Sequence, residues 1–225
     1  MLPILGRTAA PVAAGYIRPF TRATPIVAHA ELHSPRRRAY RMGMPAESPT
    51  YWTKAAVQAL PDDGQRYELA WGELLVTPAP SPRHERVLGQ LLEALLPYVR
   101  AHRLGRVYFS KAELSWGDDT RFQPDIMVVP PAEAHATRWE DVQHPTLVVE
   151  ILSPSSTRYD RFTKRHAYQH GGVPAYWVVD PDRRLVEVWG PADQAPRVER
   201  EQVTWAPPGA TAPLCLDLTT VFDSA

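Results

Sequence analysis

The chain lacks the cysteines and the long apolar runs that disulfide-bonded, thiolate-metal and membrane-spanning proteins require. It contains a single cysteine, Cys215, among 225 residues, which excludes an intramolecular disulfide and a thiolate metal cluster. A lone cysteine is usually a small buried hydrophobic side chain, and we expect that role for Cys215. No apolar run approaches the roughly 18 residues of a membrane-spanning helix. The low cysteine content favours a reducing cytoplasm as the location.

The sequence also lacks net charge, but its charges are unevenly distributed. The formal net charge is zero. Residues 1–43 hold seven arginines and one glutamate, which gives +6, so residues 44–225 carry −6. A basic isoelectric point is therefore not available as evidence for nucleic-acid binding, and any site for a polyanion in the remainder of the chain must be local.

Residues 1–48 show no sustained hydrophobic period and hold six of the 24 prolines. Such a stretch buries too little apolar surface to offset the entropy of ordering, so disorder is predicted. Three interpretations stay open: an over-long start with Met42 or Met44 as the initiator, a flexible basic arm, or a targeting segment. The predicted organisation is thus an N-terminal segment over 1–48 and a folded domain over 49–225.

From about residue 51 the hydrophobic pattern becomes regular, and its order predicts an α/β or α+β fold with a central mixed sheet. Continuous apolar runs in two strands are typical of a sheet covered on both faces. The predicted elements are a helix over 54–60, hairpin strands over 67–71 and 73–77, a helix over 82–102, strands over 106–113, 122–130 and 146–152, a helix over 158–170, and strands over 175–179 and 185–189.

Two acids stand in unusual positions within the predicted buried strands. Asp125 begins the apolar run of one strand, and Glu150 interrupts the run of the next. A lone buried carboxylate is costly unless it is paired or bound to a cation, and two of them on adjacent strands repel each other. Oxygen ligands favour Mg²⁺, Mn²⁺ or Ca²⁺. The simpler alternative is that each acid pairs with an arginine at the edge of the sheet.

Short motifs follow one another in the order found in a known family. They are Arg66-Tyr67-Glu68-Leu69, Gly72-Glu73-Leu74, Pro80-Ser81-Pro82-Arg83-His84, Gln123-Pro124-Asp125, Val149-Glu150-Ile151-Leu152-Ser153-Pro154-Ser155-Ser156, Tyr159-Asp160 with Lys164, and Gly171-Gly172-Val173-Pro174-Ala175-Tyr176-Trp177-Val178-Val179-Asp180-Pro181. Over about residues 50–222 the chain resembles the Uma2 family of endonucleases. The resemblance implies a restriction-endonuclease-like fold of the PD-(D/E)xK superfamily, with a mixed β-sheet flanked by helices and an N-terminal β-hairpin. It also implies Mg²⁺-dependent hydrolysis of DNA.

The chain departs from the superfamily pattern at one position. That pattern has a lysine two residues after the second acid, where this chain has Leu152. Lys164, on the following helix, is the natural substitute, because its ammonium could project over the carboxylates. The alternative is a surface ion pair with Asp160. The predicted catalytic residues are therefore Asp125, Glu150 and Lys164, with Mg²⁺ or Mn²⁺ as the cofactor.

Four further residues are candidates for the site. Glu73 could supply a third metal ligand, together with Asp125 and Glu150, or be a solvated acid. His84, Arg161 and Arg165 could bind the substrate's phosphates, although a structural histidine and a solvated helix face are the simpler alternatives. Glu68 is assigned to packing.

The favoured hypothesis is a metal-dependent endonuclease acting on DNA. A non-catalytic module that binds nucleic acid or protein is the main alternative, because the lysine is missing at position 152. A small-molecule metal enzyme using the same carboxylates is a third. A homodimer is compatible with cutting both strands of a duplex, and no association with a membrane is expected.

Overall fold

The computed structural model describes residues 51–223, so the predictions for residues 1–48 lie outside the described residues. Within the described range a 3₁₀ turn spans Trp139–Asp141 and a π-helical segment spans Tyr159–Lys164. The other elements are α1 (Lys54–Gln58), β1 (Arg66–Ala70), β2 (Glu73–Thr77), α2 (Pro82–Ala101), β3 (Arg106–Phe109), β4 (Thr120–Arg121), β5 (Ile126–Val129), β6 (Leu147–Ile151), α3 (Arg165–His170), β7 (Tyr176–Asp180), β8 (Leu185–Trp189), β9 (Arg197–Glu199), β10 (Gln202–Trp205), β11 (Leu214–Asp217) and α4 (Leu218–Asp223).

A mixed sheet of six strands forms the centre of the domain, in the order β3-β5-β6-β7-β8-β9. Strands β6 and β7 are parallel, and the other neighbours are antiparallel. Parallel neighbours need a crossover connection, which the π-helical segment and α3 provide. The predicted mixed sheet flanked by helices is confirmed.

The predicted hairpin is also present. Strands β1 and β2 pair in antiparallel fashion, and β4 adds to β1 to give a three-stranded sheet. The two residues of the turn, Trp71 and Gly72, have φ angles of 47° and 81°. Positive φ at both central positions is typical of the tight type I′ turn, whose twist matches that of the strands it joins.

The apolar side chains pack on both faces of the six-stranded sheet. Alternate residues of a strand point to opposite faces. One face packs against α2, α4 and the β10–β11 pair, and the other against α3 and the hairpin. Asp125 and Glu150 lie two residues from Met127 and Val148, which belong to the second face. The two acids therefore share the face covered by α3 and the hairpin.

Two predicted strands are shorter than expected. The strand predicted from residue 106 ends at Phe109, because Ser110 and Lys111 have φ angles of 54° and 36° and leave the extended conformation. The strand predicted from Phe122 starts only at Ile126, and Phe122 forms an isolated bridge instead.

The expectation for Cys215 is wrong, because its side chain is exposed. In β11 the neighbouring Leu214 and Leu216 point inward, so the alternation of the strand turns Cys215 outward. Among the helices of residues 51–223, none combines the length and apolar character needed to cross a lipid bilayer.

Candidate active site

Asp125 and Glu150 lie opposite each other on neighbouring strands. Strands β5 and β6 pair with Ile126 facing Val149, and the same register continued by one residue places Asp125 opposite Glu150. Residues directly opposite in an antiparallel pair lie on the same face of the sheet. Both acids are buried, with exposures of 3% and 1%. The structure thus brings together the two carboxylates that the sequence singled out.

Both oxygens of the Asp125 carboxylate accept hydrogen bonds. Arg66 donates to Oδ1 at 3.0 Å, and the backbone N–H of Ile151 donates to Oδ2 at 2.8 Å. His84 Nε2 also lies 3.0 Å from Oδ2. Burial alone would raise the pKa of Asp125, but the bond with His84 and the charge of Arg66 lower it to about 2. Asp125 is therefore an ionised carboxylate, and it has the arginine partner that the simpler alternative supposed.

Glu150 has a different environment. Its Oε1 accepts hydrogen bonds from Lys164 Nζ at 3.1 Å and from the Tyr168 hydroxyl at 2.7 Å. Within residues 51–223, these bonds reach Oε1 only, and Oε2 receives none. Burial raises the pKa of Glu150 well above its ordinary value, and the ammonium of Lys164 opposes this effect. Glu150 is thus a carboxyl group whose negative charge is incompletely compensated.

Lys164 lies among three carboxylates. Its Nζ is 2.9 Å from Glu68 Oε2, 3.1 Å from Glu150 Oε1 and 3.2 Å from Asp160 Oδ1. Burial alone would lower the pKa of Lys164, but the three carboxylates raise it well above its ordinary value, so the ammonium stays charged. The pair with Asp160 exists, but it is buried and not on the surface. The predicted approach of Lys164 to the carboxylates is therefore present.

The π-helical segment Tyr159–Lys164 replaces the first turns of the regular helix predicted from residue 158. It carries Asp160 and Lys164, and both side chains are buried. π-Helical turns are rare and occur frequently at functional sites.

Two charged residues of the hairpin belong to this cluster and were missed in the sequence. Glu68 was assigned to packing, but it is buried with its Oε1 accepting a bond from the backbone of Gln123 at 2.7 Å and its Oε2 paired with Lys164. Arg66 binds Asp125. Residues two apart on a strand lie on the same face of the sheet. The spacing of Arg66 and Glu68, two charged residues beside apolar ones, could therefore have identified them as a pair directed at the site.

A cavity of about 210 Å³ lies beside the two carboxylates. Its rim is formed by the loops at residues 77–81 and 153–156. Among the residues that line it are His84, Asp125, Glu150, Asp160 and Lys164. Of the predicted substrate-binding residues, His84 therefore borders the site.

Three other candidates are not brought to this cavity. Glu73 is exposed at the start of β2 and lines a separate surface depression. Arg161 forms an ion pair with Asp180 at 2.7 Å, and the guanidinium of Arg165 lies 4.6 Å from the centre of the Trp189 ring. A metal-binding role for Glu73 and phosphate-binding roles for the two arginines stay predictions without support from this placement.

The charge balance of the cluster is compatible with a bound cation. Within residues 51–223, no three His, Cys, Asp or Glu side chains are arranged as a ready metal site. However, Mg²⁺ is commonly held by one or two carboxylates together with water. If all four carboxyl groups of the cluster (Glu68, Asp125, Glu150 and Asp160) are ionised, they exceed the two permanent cations, Arg66 and Lys164, by two negative charges. The oxygen donors and the surplus negative charge fit Mg²⁺ or Mn²⁺.

Comparisons with known proteins identify the family of the chain and a solved structure with the same fold. The family model of Uma2, described as "Putative restriction endonuclease", matches residues 55–221. A similar solved structure is that of "a putative nuclease belonging to DUF820" from Anabaena variabilis ATCC 29413, with a TM-score of 0.65 and 22% sequence identity. The match covers 77% of this chain and 98% of that chain, and at this identity it shows a shared fold. No curated protein sequence matches the chain.

Proposed function

The chain belongs to the Uma2 family, and from this premise we propose that it is an Mg²⁺-dependent endonuclease that hydrolyses phosphodiester bonds of DNA. One observation carries the proposal. Asp125 and Glu150 lie opposite each other at the ends of neighbouring strands, with the ammonium of Lys164 beside them at one cavity. Paired carboxylates with a nearby lysine are suited to holding a cation and stabilising charge on a phosphate.

Asp125 and Glu150 would hold the divalent cation. Glu150 offers Oε2, which is free of hydrogen bonds from the described residues, and Asp125 is ionised. When bound, the cation supplies the Lewis acidity that activates water and offsets charge on the leaving oxygen. His84 and the backbone of Ile151 orient Asp125 through Oδ2.

Lys164 has the position and charge to stabilise the attacked phosphate. Its ammonium stays protonated because of the surrounding carboxylates, and it lies 3.1 Å from Glu150. In the reaction it would exchange a contact with a carboxylate for one with a phosphate oxygen, whose negative charge grows in the transition state.

A non-catalytic binding module on the same fold is the second candidate. Leu152 occupies the position of the motif lysine, and the ammonium of Lys164 is already surrounded by three carboxylates. A protein of this kind would bind nucleic acid or a protein partner without cleaving a phosphodiester.

Incubation of supercoiled plasmid with the protein and Mg²⁺ or Mn²⁺ separates the two candidates. We expect nicking by the wild-type protein and a loss of about 100-fold or more in Asp125→Asn and Glu150→Gln, because each removes a charged ligand. Glu93→Gln, which changes an exposed acid on α2, is the matched control and should keep full activity. A wild-type protein that binds the plasmid but never nicks it would support the non-catalytic module.

A further inference from the structure

A second cavity adjoins the candidate active site. It has a volume of about 150 Å³ and shares Arg66, His84 and Asp125 with the first cavity. Beyond this common wall it is lined by Gln123 and Lys111 among others. The two cavities meet at the side chains that hold Asp125. A linear polymer bound at the carboxylates would therefore extend into the second cavity.

Lys111 is available to a ligand at the rim of this cavity. The chain has three lysines. Lys54 is paired with Glu113, and Lys164 is buried among carboxylates. The side chain of Lys111 is 79% exposed, and its acidic neighbour, 3.6 Å away, is the equally exposed Asp62. An exposed pair of this kind is weak, so Lys111 can turn to an anion that enters the cavity.

The backbone at Lys111 supports a role beyond the fold. Ser110 and Lys111 both have left-handed φ angles, although neither is a glycine. This conformation costs free energy for any residue with a side chain, and such costs are concentrated at ligand-binding and active sites. The turn ends β3 early and presents Lys111 to the cavity.

A buried polar atom on the common wall independently points to a ligand. His84 is only 6% exposed, and its Nε2 lies within hydrogen-bond distance of Asp125. Its Nδ1 has no hydrogen-bond partner among residues 51–223, and the carboxylate of Glu85, another residue of the second cavity, is 3.5 Å away. A buried nitrogen without a partner is unfavourable, and a hydrogen-bonding ligand would satisfy it.

We propose that the second cavity binds the nucleotide adjacent to the scissile phosphate, with that nucleotide's own phosphate against Lys111. The proposal rests on the proposed nuclease function. Because residues 44–225 carry a net charge of −6, a polyanion must be attracted by local cations, and Arg66 and Lys111 are the cations of this cavity. The amide of Gln123 adds a neutral hydrogen-bonding group suited to a sugar or base.

The binding test uses the full chain and a fluorescent single-stranded DNA oligonucleotide in buffer with a chelator, so that no cleavage occurs. We expect Lys111→Ala to weaken binding about fivefold at low salt, and to reduce the slope of log Kd against log salt by about 0.7, the loss of one phosphate contact. Lys111→Arg should bind like the wild type. Arg100→Ala is the matched control, because Arg100 is an exposed cation at the far end of α2, about 24 Å along the helix from His84.

A small diester separates this proposal from the proposed function. Bis(p-nitrophenyl) phosphate has no second phosphate, so Lys111→Ala should hydrolyse it in Mn²⁺ at the wild-type rate while showing a raised KM for the oligonucleotide. Unchanged oligonucleotide binding by Lys111→Ala, or an equal loss in Arg100→Ala, would overturn the subsite. If the wild-type protein cleaves neither substrate while Lys111→Ala still weakens oligonucleotide binding, the result would support the subsite and contradict the proposed hydrolysis.

Discussion

The charges of individual side chains explain why Lys164 is buried without being neutralised. Its ammonium is within 3.2 Å of three carboxylates, which lie on the hairpin, on β6 and on the π-helical segment. Each carboxylate would be costly to bury without a cation nearby. Lys164 therefore has two roles to separate by experiment: it holds the site together, and in the proposed reaction it faces the phosphate.

Replacement of Lys164 by methionine tests the first role. Lys164→Met should lower the free energy of unfolding by about 3–5 kcal/mol, because removing one partner from a buried ion pair leaves the others uncompensated. Urea denaturation measures this change. Lys111→Met, at an exposed lysine, should stay within about 0.5 kcal/mol of the wild type. Equal stability of the two variants would show that the carboxylates are not held by Lys164.

Glu68 connects the hairpin with Lys164, and in the proposed reaction it is a positioning residue. Glu68→Gln keeps an acceptor for the backbone of Gln123 but loses the charge that holds Lys164. We expect kcat for the oligonucleotide to fall about tenfold with KM unchanged, since the lost contact acts on the reacting phosphate only through Lys164. Glu113→Gln, at a buried acid paired with Arg121, is the control. A similar loss of kcat in the control would attribute the effect to general loosening of the domain.

At the scale of the elements, the connection between α2 and β3 allows the edge strand β3 to pack closely against β5. Gly105 in this connection has a φ angle of 116°, and a Cβ atom added there would lie 1.9 Å from the carbonyl oxygen of Val129 in β5. Only glycine fits so close to the neighbouring strand. The strand β5 also leads back to Asp125, so this close contact helps to hold the strand that carries the site.

Two glycine substitutions should therefore have opposite effects on stability. Gly105→Ala should lower the free energy of unfolding by more than about 2 kcal/mol, because of the left-handed backbone and the clash with β5. Gly89→Ala, inside α2 with no atom within 4 Å of the added Cβ apart from the adjoining helix backbone, should raise it by about 0.5–1 kcal/mol. Chemical denaturation of both variants provides the measurement. A Gly105→Ala protein as stable as the wild type would contradict the described packing of β3 on β5.

At the scale of the whole molecule, the surplus negative charge of the site predicts that metal binding stabilises the fold. A cation that binds only the folded state at 100 times its Kd adds about 2.7 kcal/mol, which corresponds to a rise in Tm of about 5–10 °C for a domain of this size. We expect this rise with Mn²⁺ or Mg²⁺, its reversal by a chelator, and its absence in Glu150→Gln.

The same measurement tests the proposed domain boundary. We propose that residues 49–225 contain the complete metal-binding domain, as the family match to residues 55–221 supports. A chain starting at residue 49 should show the same metal-dependent rise in Tm as the full chain, and Glu93→Gln should show it as well. For the metal prediction itself, a rise in Tm that persists in Glu150→Gln would place the cation at another site.

Local features of the chain could be predicted from the sequence alone. Helices α1 and α2 begin where expected, and the hydroxyls of Thr53 and Ser81 accept bonds from backbone N–H groups of the first turn. These caps depend on residues three apart, so neighbouring sequence suffices to define them. The same holds for Asp125 and Glu150, whose charge stands out within their own apolar strands.

The partners of those two acids were decided only by tertiary packing. Arg66 is 59 residues from Asp125 in the chain and meets it because the hairpin packs on the sheet. Glu68 reaches Lys164 through the same packing, and nothing in the periodicity of β1 identifies a partner so distant. Secondary structure follows from contacts between near neighbours, whereas a buried charge is balanced by whichever residues the fold brings within a few ångströms. The sequence therefore identifies the two carboxylates, and the fold supplies the cations and the cavity beside them.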